Sequence, residues 1–291
     1  MKTYVCGVVL LVSGAGAASA RQTPASAPWD SIARTLGTAA VSTGGYYRYG
    51  WPRRDLTVRI GDVTVAPALA LGAWAGFSGD PRDATMMGDL VLIAHELRPV
   101  LADLARQRIE VTAVHNHLAG EEPRITYVHF HAHGNALELA ARLDHVLAQT
   151  AIPRPVAPTT PPPATIDTAL VFRTLGLAGR AQGGVAQVST VLVPGPVAIQ
   201  GRVLTPALAY GTPINIQVVD SVRAVATGDF AVLGSKVDGV LAALAAAGIT
   251  ATALHSHLVG EEPHIYYIHF WGDGSLASVT RGLRAALDAA R

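Results

Sequence analysis

The sequence HNHLAGEEPRITYVHF occupies residues 115–130, and a close copy, HSHLVGEEPHIYYIHF, occupies residues 255–270. Eleven of these 16 positions are identical at an offset of 140. Self-similarity at a fixed offset indicates a repeated structural unit. The same offset holds upstream, where Gly88-Asp89 matches Gly228-Asp229. The chain of 291 residues therefore consists of two copies of one unit.

A proline-rich segment separates the two copies. Six prolines lie between residues 153 and 163. Because proline fixes its own backbone and has no amide donor, such a segment favours an extended spacer over a helix or a central strand. We predict a linker over 151–164, which joins a first repeat domain at 28–150 to a second repeat domain at 165–291.

Hydrophobic periodicity predicts the same order of elements in each copy. In the first copy, strand patterns occupy 57–65, 69–77, 85–92, 109–117 and 124–131, with a turn at 118–123. Helical spacing of apolar residues occupies 97–104 and 139–147. This order predicts an α+β fold in which helices cover one face of a mainly antiparallel sheet. The split βαβ arrangement of ferredoxin-like folds is the closest simple template.

Charge and the N-terminal segment limit the class of protein. Lys and Arg number 22 against 21 Asp and Glu, so no basic surface for nucleic acid is expected. Lys2, an apolar run and the small residues up to Ala20 are typical of a secretory signal peptide at 1–20. We therefore predict export to the periplasm or beyond the cell. No later stretch is apolar for long enough to cross a membrane.

The single cysteine, Cys6, lies inside that predicted signal peptide. The processed chain would contain no cysteine, which excludes disulfides, thiol nucleophiles and cysteine-ligated metals. No glycine-rich loop for phosphates stands at a strand–helix junction, so no nucleotide cofactor is expected. Any chemistry therefore has to come from the repeated histidine hairpin.

The repeated hairpin carries side chains that bind transition metals. Alternate residues of a strand share a face, so His115 and His117 project together, and His129 on the returning strand comes within reach in a suitable register. Imidazoles with one turn carboxylate suit Zn(II), Cu(II), Ni(II) or Fe(II). In both copies together, the candidate ligands are His115, His117, Glu121, His129, His255, His257, Glu261 and His269.

Further residues are candidates for supporting and catalytic roles. Asp89 and Asp229 are expected to orient the ligand histidines from behind. The candidate catalytic residues are Glu122, Glu262, Tyr127 and Tyr267. If the metal keeps a position open to water, one of these glutamates would act as general base and a tyrosine would stabilise an oxyanion. The tyrosine beside each hairpin favours such an open site.

Three functions remain open on these residues. The first is binding of a divalent metal or, through it, a small polar ligand, with one ion per copy unless the copies face each other and share one. The second is a metal-dependent periplasmic enzyme that uses the same site. The third is a non-catalytic envelope interaction module whose histidines only hydrogen-bond to neighbouring backbone. The sequence also leaves open a homo-oligomer.

Five stretches carry a family resemblance: WPRRDLTV at 51–58, PALALGAW at 67–74, MMGDLVL at 86–92, IEVTAVHNHLAGEEPRITYVHF at 109–130 and ITATALHSHLVGEEPHIYYIHFWGDG at 249–274. On these motifs the chain resembles the LppY/LpqO-type family of uncharacterised bacterial exported proteins and lipoproteins. The resemblance implies an exported, duplicated protein and assigns no activity. Lipoproteins of that family carry a lipobox cysteine that this chain lacks, so the resemblance does not extend to a lipid anchor.

Overall fold

The computed structural model describes residues 27–156, 165–182 and 184–291. The predicted signal peptide and most of the predicted linker lie outside these ranges. Within them, no helix combines the length and the apolar character needed to span a bilayer.

The two copies contain matching elements in the same order. The first copy contains α1 (Ala27–Leu36), β1 (Val41–Thr43), β2 (Tyr46–Pro52), β3 (Arg59–Ile60), β4 (Val63–Thr64), α2 (Pro67–Ala70), β5 (Gly72–Asp80), β6 (Asp83–Ile93), α3 (Ala94–Arg106), β7 (Glu110–His115), β8 (Glu121–Glu122), β9 (Ile125–Gly134) and α4 (Ala136–Leu147). The second copy contains α5 (Thr168–Leu175), β10 (Gly179–Gln182), β11 (Val185–Thr190), β12 (Ala198–Ile199), β13 (Arg202–Val203), α6 (Pro206–Ala209), β14 (Thr212–Val218), β15 (Ala224–Leu233), α7 (Val237–Ala246), β16 (Thr250–His255), β17 (Glu261–Glu262), β18 (Ile265–Gly274) and α8 (Leu276–Ala290).

Each copy forms one six-stranded antiparallel sheet. The strand order is β1-β2-β5-β6-β9-β7 in the first copy and β10-β11-β14-β15-β18-β16 in the second. Since β9 pairs antiparallel with both β6 and β7, these two are parallel, and the unit β6-α3-β7 is a βαβ crossover split by β9. This confirms the predicted α+β class with tandem, mainly antiparallel domains.

The two faces of each sheet have different partners. On one face, α3 and α4 bury apolar residues such as Val100, Leu104 and Leu143 against the sheet. On the other face, Tyr46 and Met87 of the first copy belong to a cluster of buried residues contributed mainly by the second copy. Each sheet is therefore covered by its own helices on one side and by the other copy on the opposite side.

Polar side chains also join the copies. The Gln187 and Asn215 amides of the second copy donate to the carbonyl oxygens of Ala68 and Leu69 in the first, each at 2.8 Å. Thr252 donates to the His117 carbonyl at 2.6 Å, which ties one histidine hairpin to the other copy. These bonds satisfy backbone groups that the contact between the copies removes from water.

The predicted strand at 109–117 ends earlier, at His115 of β7, and local structure departs more strongly from the predicted elements in two other places. The predicted strand at 69–77 begins later, at β5, because Pro67 starts the short helix α2, where its missing amide costs nothing. The predicted strand at 57–65 is instead a short hairpin of two strands, β3 and β4, each two residues long. Gly61, with a φ of 57°, lies in the turn between them. In that hairpin, β3 pairs with β8, so the turn of the histidine hairpin is held by a small three-stranded sheet.

Candidate metal centre

Six histidines from both copies meet between the two sheets. His115 and His255 end β7 and β16, His117 and His257 lie two residues beyond those ends, and His129 and His269 lie on β9 and β18. Their rings pack against one another across the contact between the copies, two pairs stacked and the pair of His115 and His255 tilted. Ring centroids lie 3.8 Å apart for His115 and His255, and 3.9 Å apart both for His117 and His269 and for His129 and His257. The two hairpins thus form one shared cluster. This is the arrangement expected from the sequence if the two copies face each other.

Three imidazole nitrogens in this cluster have the spacing of metal ligands. The Nε2 atom of His269 lies 3.1 Å from Nε2 of His115 and 3.2 Å from Nε2 of His257. Tetrahedral zinc with Zn–N bonds of about 2.0–2.1 Å separates its ligand nitrogens by roughly 3.3 Å. The two separations from His269 are therefore already close to the edge length of a coordination tetrahedron.

The cluster offers two overlapping sets of four histidines. Within each set, one nitrogen per residue lies within 4.8 Å of the others. One set is His115, His255, His257 and His269, and the other is His115, His117, His129 and His257. Because His115 and His257 belong to both sets, the two sets cannot be completely filled at the same time. A third, smaller group combines His117 and His269 with Asp229.

Hydrogen bonds on the far side of two rings determine which nitrogen is free. His269 donates from Nδ1 to Asp229 Oδ1 at 2.7 Å, and His255 donates from Nδ1 to the Ser256 carbonyl at 3.0 Å. A neutral imidazole that donates from Nδ1 has its lone pair on Nε2. Both rings therefore present Nε2 in the form that coordinates a metal.

The carboxylates of the two copies are placed differently. Asp89 and Asp229 each lie directly opposite a histidine in the sheet register, His129 and His269 respectively. Asp229 makes the short bond described above, whereas Asp89 Oδ1 lies 3.8 Å from His129 Nε2 and makes no hydrogen bond there. Of these two carboxylates, Asp229 therefore provides the hydrogen bond that commonly supports a metal-bound histidine, and Asp89 does not.

Burial keeps the imidazoles neutral. Desolvation, followed by the positive charges that neighbouring rings would carry, lowers the pKa of His117, His129 and His257 well below its usual range. The pKa of His255 is lowered to about 4 by burial and by the charge of His269. Since only neutral imidazole binds a metal, these shifts keep the ligands ready at and below neutral pH.

Several nitrogens of the cluster have no hydrogen-bond partner although they are buried. Within the described residues these include Nε2 of His117, His129 and His255 and Nδ1 of His115. Leaving a buried polar atom unpaired costs about 1–3 kcal/mol, so several in one place require an explanation. A metal ion in one four-histidine set could satisfy the unpaired nitrogen of His255, and an ion in the other set could satisfy those of His117 and His129.

The predicted glutamates lie outside these histidine sets. Glu121 and Glu261 are buried, and each accepts a backbone amide bond, from Ile125 at 3.1 Å and from Ile265 at 3.0 Å. Glu122 and Glu262 are exposed on the opposite side of the short strands β8 and β17. The structure thus brings together the predicted histidines and does not bring the four glutamates to them.

The predicted tyrosines support the cluster through their rings. Tyr127 stacks on His117 with centroids 3.7 Å apart, and Tyr267 stacks on His257 at 3.8 Å. Their hydroxyls donate to backbone carbonyls of the short helices, at Ala70 and Ala209 respectively. Each tyrosine therefore fixes the orientation of a histidine ring, while its hydroxyl is held by the backbone.

A cavity of about 1300 Å³ between the copies reaches the cluster at His117, His129 and His257. Its wall also includes Arg48 and Trp74, which the sequence analysis did not select as functional residues. The alternation of residues along β2 could have identified Arg48 from the sequence. Tyr47, Tyr49 and Trp51 share one face of that strand, so Arg48 must face the opposite side.

Comparison with known proteins identifies a family and little else. The profile of a family described as Domain of Unknown Function (DUF1259), with the model name DUF1529, matches residues 30–149 and again residues 169–289. No curated protein matches the chain. The solved structure of PduB, a trimeric bacterial microcompartment shell protein, is 12% identical and has a TM-score of 0.21, with 86% of this chain and 88% of that chain covered. At that TM-score the likeness carries no structural argument. The two profile matches span most of the sequence, and the chain therefore belongs to the DUF1259 family as a duplicated member.

Proposed function

We propose that this protein binds one transition-metal ion per chain in the shared histidine cluster. The observation that carries the proposal is the convergence of three Nε2 atoms, from His115, His257 and His269, with separations of 3.1 and 3.2 Å. These ligands come from both copies, so the metal would also join the two domains. His115 and His257 belong to both four-histidine sets and are ligands whichever set is filled.

The donor atoms indicate which metals fit. A site made of imidazoles without thiolates suits Zn(II), Cu(II), Ni(II) or Fe(II) and disfavours Mg(II) and Ca(II), which prefer oxygen ligands. Four neutral imidazoles leave the full charge of a divalent ion uncompensated. Asp229, bonded to His269, offsets part of that charge from the second coordination shell.

The cavity favours a second candidate function, a metal-dependent enzyme. It reaches the cluster at His117, His129 and His257. A metal whose open position faced this cavity could bind water or a substrate there. X-ray absorption spectroscopy on the loaded protein separates the two candidates, because four imidazoles indicate a closed site and three with one oxygen indicate an open one.

The proposal includes a cellular compartment for the protein. The predicted signal peptide at 1–20 and the resemblance of the sequence to LppY/LpqO-type exported proteins support a position in the periplasm or outside the cell. In that compartment a cysteine-free site has a practical advantage, because imidazole ligands are not lost to disulfide formation.

Metal titration of tag-free protein tests the proposal. We expect wild-type protein to bind one Zn(II) or Cu(II), and a His115→Ala/His257→Ala variant to lose that binding because both four-histidine sets are broken. His145→Ala is the matched control, since His145 is an exposed residue of α4 and belongs to neither histidine set. If the double variant binds metal as tightly as wild type, the cluster is not a metal site.

A further inference from the structure

Arg48 is a cationic side chain on the wall of the cavity. It lies on β2 between Tyr47 and Tyr49, and its guanidinium sits over the ring of Trp74 at 4.1 Å from the centroid. Both Arg48 and Trp74 line the same cavity as the histidine cluster. Stacking of guanidinium on an aromatic face fixes its plane and leaves its edge donors available to a ligand.

The charge of Arg48 is only weakly compensated. In the described ranges it forms no ion pair with a carboxylate, and Tyr46 is its hydrogen-bonding neighbour. Burial lowers the pKa of Arg48, and the positive charge of Arg180, another residue of the cavity wall, acts in the same direction. Asp89 attracts Arg48 across the cavity wall without bonding to it. A partly buried cation of this kind is stabilised by an anion.

The corresponding place in the second copy has a structural role. Arg48 lies opposite Gly76 in the first sheet, as Gln187 lies opposite Asn215 in the second. The side-chain amides of Gln187 and Asn215 donate hydrogen bonds to backbone carbonyls of the first copy. Among the residues that the structure describes, Arg48 and Gly76 form no such bonds, so hydrogen bonding between the copies does not explain the arginine. The duplication therefore allows Arg48 to be compared with its counterpart Gln187. Gln187 joins the two copies, whereas Arg48 is a cation that does not.

We propose that the cavity binds a small organic anion, with one carboxylate or phosphate on Arg48 and the rest of the molecule directed toward the metal. This inference rests on the proposed metal site, because the second end of the ligand faces His117, His129 and His257. The β2 and β9 strands are three strand spacings apart, roughly 14 Å. Side chains reach inward from both strands, so a ligand of a few carbon atoms can span the remaining distance. Apolar wall residues such as Trp74 and Leu208 suit its carbon skeleton.

The test uses full-length protein loaded with Co(II), whose visible spectrum reports on changes at the metal. The probes are acetate, the dicarboxylates from malonate to adipate, and inorganic phosphate, each also titrated calorimetrically against metal-free protein. We expect at least one dicarboxylate or phosphate to bind about 10-fold or more tightly than acetate. A dicarboxylate optimum identifies a carboxylate ligand, and a phosphate optimum identifies a phosphorylated one.

Variants assign the anion to Arg48. Arg48→Gln, which copies the residue of the second repeat, should remove this preference and leave Co(II) affinity unchanged. Arg48→Lys should restore part of it and covers the case in which the glutamine variant does not fold. Arg82→Gln is the control, because Arg82 is exposed and pairs with Asp80 outside the cavity wall.

The outcomes separate the two proposals. Failure of wild-type protein to bind Co(II) overturns the metal site itself. Co(II) binding with anion affinity that is equal in wild type and both Arg48 variants overturns the anion site and leaves the metal proposal standing. Anion binding that depends on Arg48 but is unchanged by metal removal contradicts the claim that the ligand reaches the metal. Anion affinity that requires both Arg48 and the bound metal supports the claim that the ligand reaches the metal.

Discussion

The bond between Asp229 and His269 distinguishes the two halves of the proposed metal centre. At 2.7 Å, Asp229 holds the proton on Nδ1 of His269 and leaves Nε2 free toward His115 and His257. In an Asp229→Asn variant, the amide group can donate to Nδ1 and shift the ring proton to Nε2, the atom that should coordinate. We predict that this single change weakens metal binding.

The size of the effect follows from the role of the bond. Loss of a carboxylate that orients a ligand histidine typically lowers metal affinity by about 10–100-fold. This factor corresponds to about 1.4–2.7 kcal/mol. The loss of the carboxylate charge acts in the same direction, because it removes a negative group beside a divalent ion. We therefore expect a decrease toward the upper part of this range.

The chain contains a matched control at the same position of the other copy. Asp89 lies 3.8 and 4.0 Å from its nearest histidine nitrogens and makes no hydrogen bond to either. Burial and the charge of Asp229 raise the pKa of Asp89 well above its usual range, so its charged form is already disfavoured. We expect Asp89→Asn to change metal affinity by less than about 3-fold, since no ligand-orienting bond of this kind is lost.

Competition with a chromophoric zinc chelator at pH 7.5 measures these affinities directly. Thermal unfolding with and without Zn(II) provides an independent readout, because a ligand at 100 times its Kd stabilises by about 2.7 kcal/mol. Equal weakening by Asp229→Asn and Asp89→Asn would show that the two carboxylates act alike, and the reasoning from the 2.7 Å bond would be wrong. No weakening by either would remove both from the metal centre.

Two further predictions concern the metal-free protein. Its stability should fall as pH drops below about 6.5, because the unfolded histidines take up protons there while burial holds the pKa of folded His117, His129, His257 and His255 lower, about 4 for the last. The raised pKa of Asp89 acts in the opposite direction, but it is one group against several histidines. Urea unfolding at pH 7.5, 5.5 and 4.5 measures the free energy of unfolding. A free energy that does not change with pH would contradict buried neutral imidazoles. Gly228→Ala should destabilise the second copy by about 1–3 kcal/mol, since its Cβ would lie 2.1 Å from the Pro213 carbonyl oxygen, and unfolding equal to wild type would refute that close contact.

Local patterns in the sequence predicted the elements that depend on neighbours along the chain. The apolar spacing at 97–104 lies within α3, and the alternating pattern around 124–131 lies within β9, because burial of one face imposes its period on the sequence. The exceptions are 57–65 and 69–77, where Gly61 and Pro67 override the strand pattern through their own backbone preferences.

The sequence alone also identified the six histidines, because a block repeated at an offset of 140 is visible without any structure. It did not determine which of them meet. His115 and His269 are 154 residues apart, and their contact depends on how one sheet packs against the other, which no local period encodes. The same packing leaves the predicted glutamates outside the cluster and brings Arg48 to the wall of its cavity. The sequence thus determined the side chains available for chemistry, whereas the tertiary structure decided their partners, since contacts between the copies join residues far apart in the chain that no local sequence pattern relates.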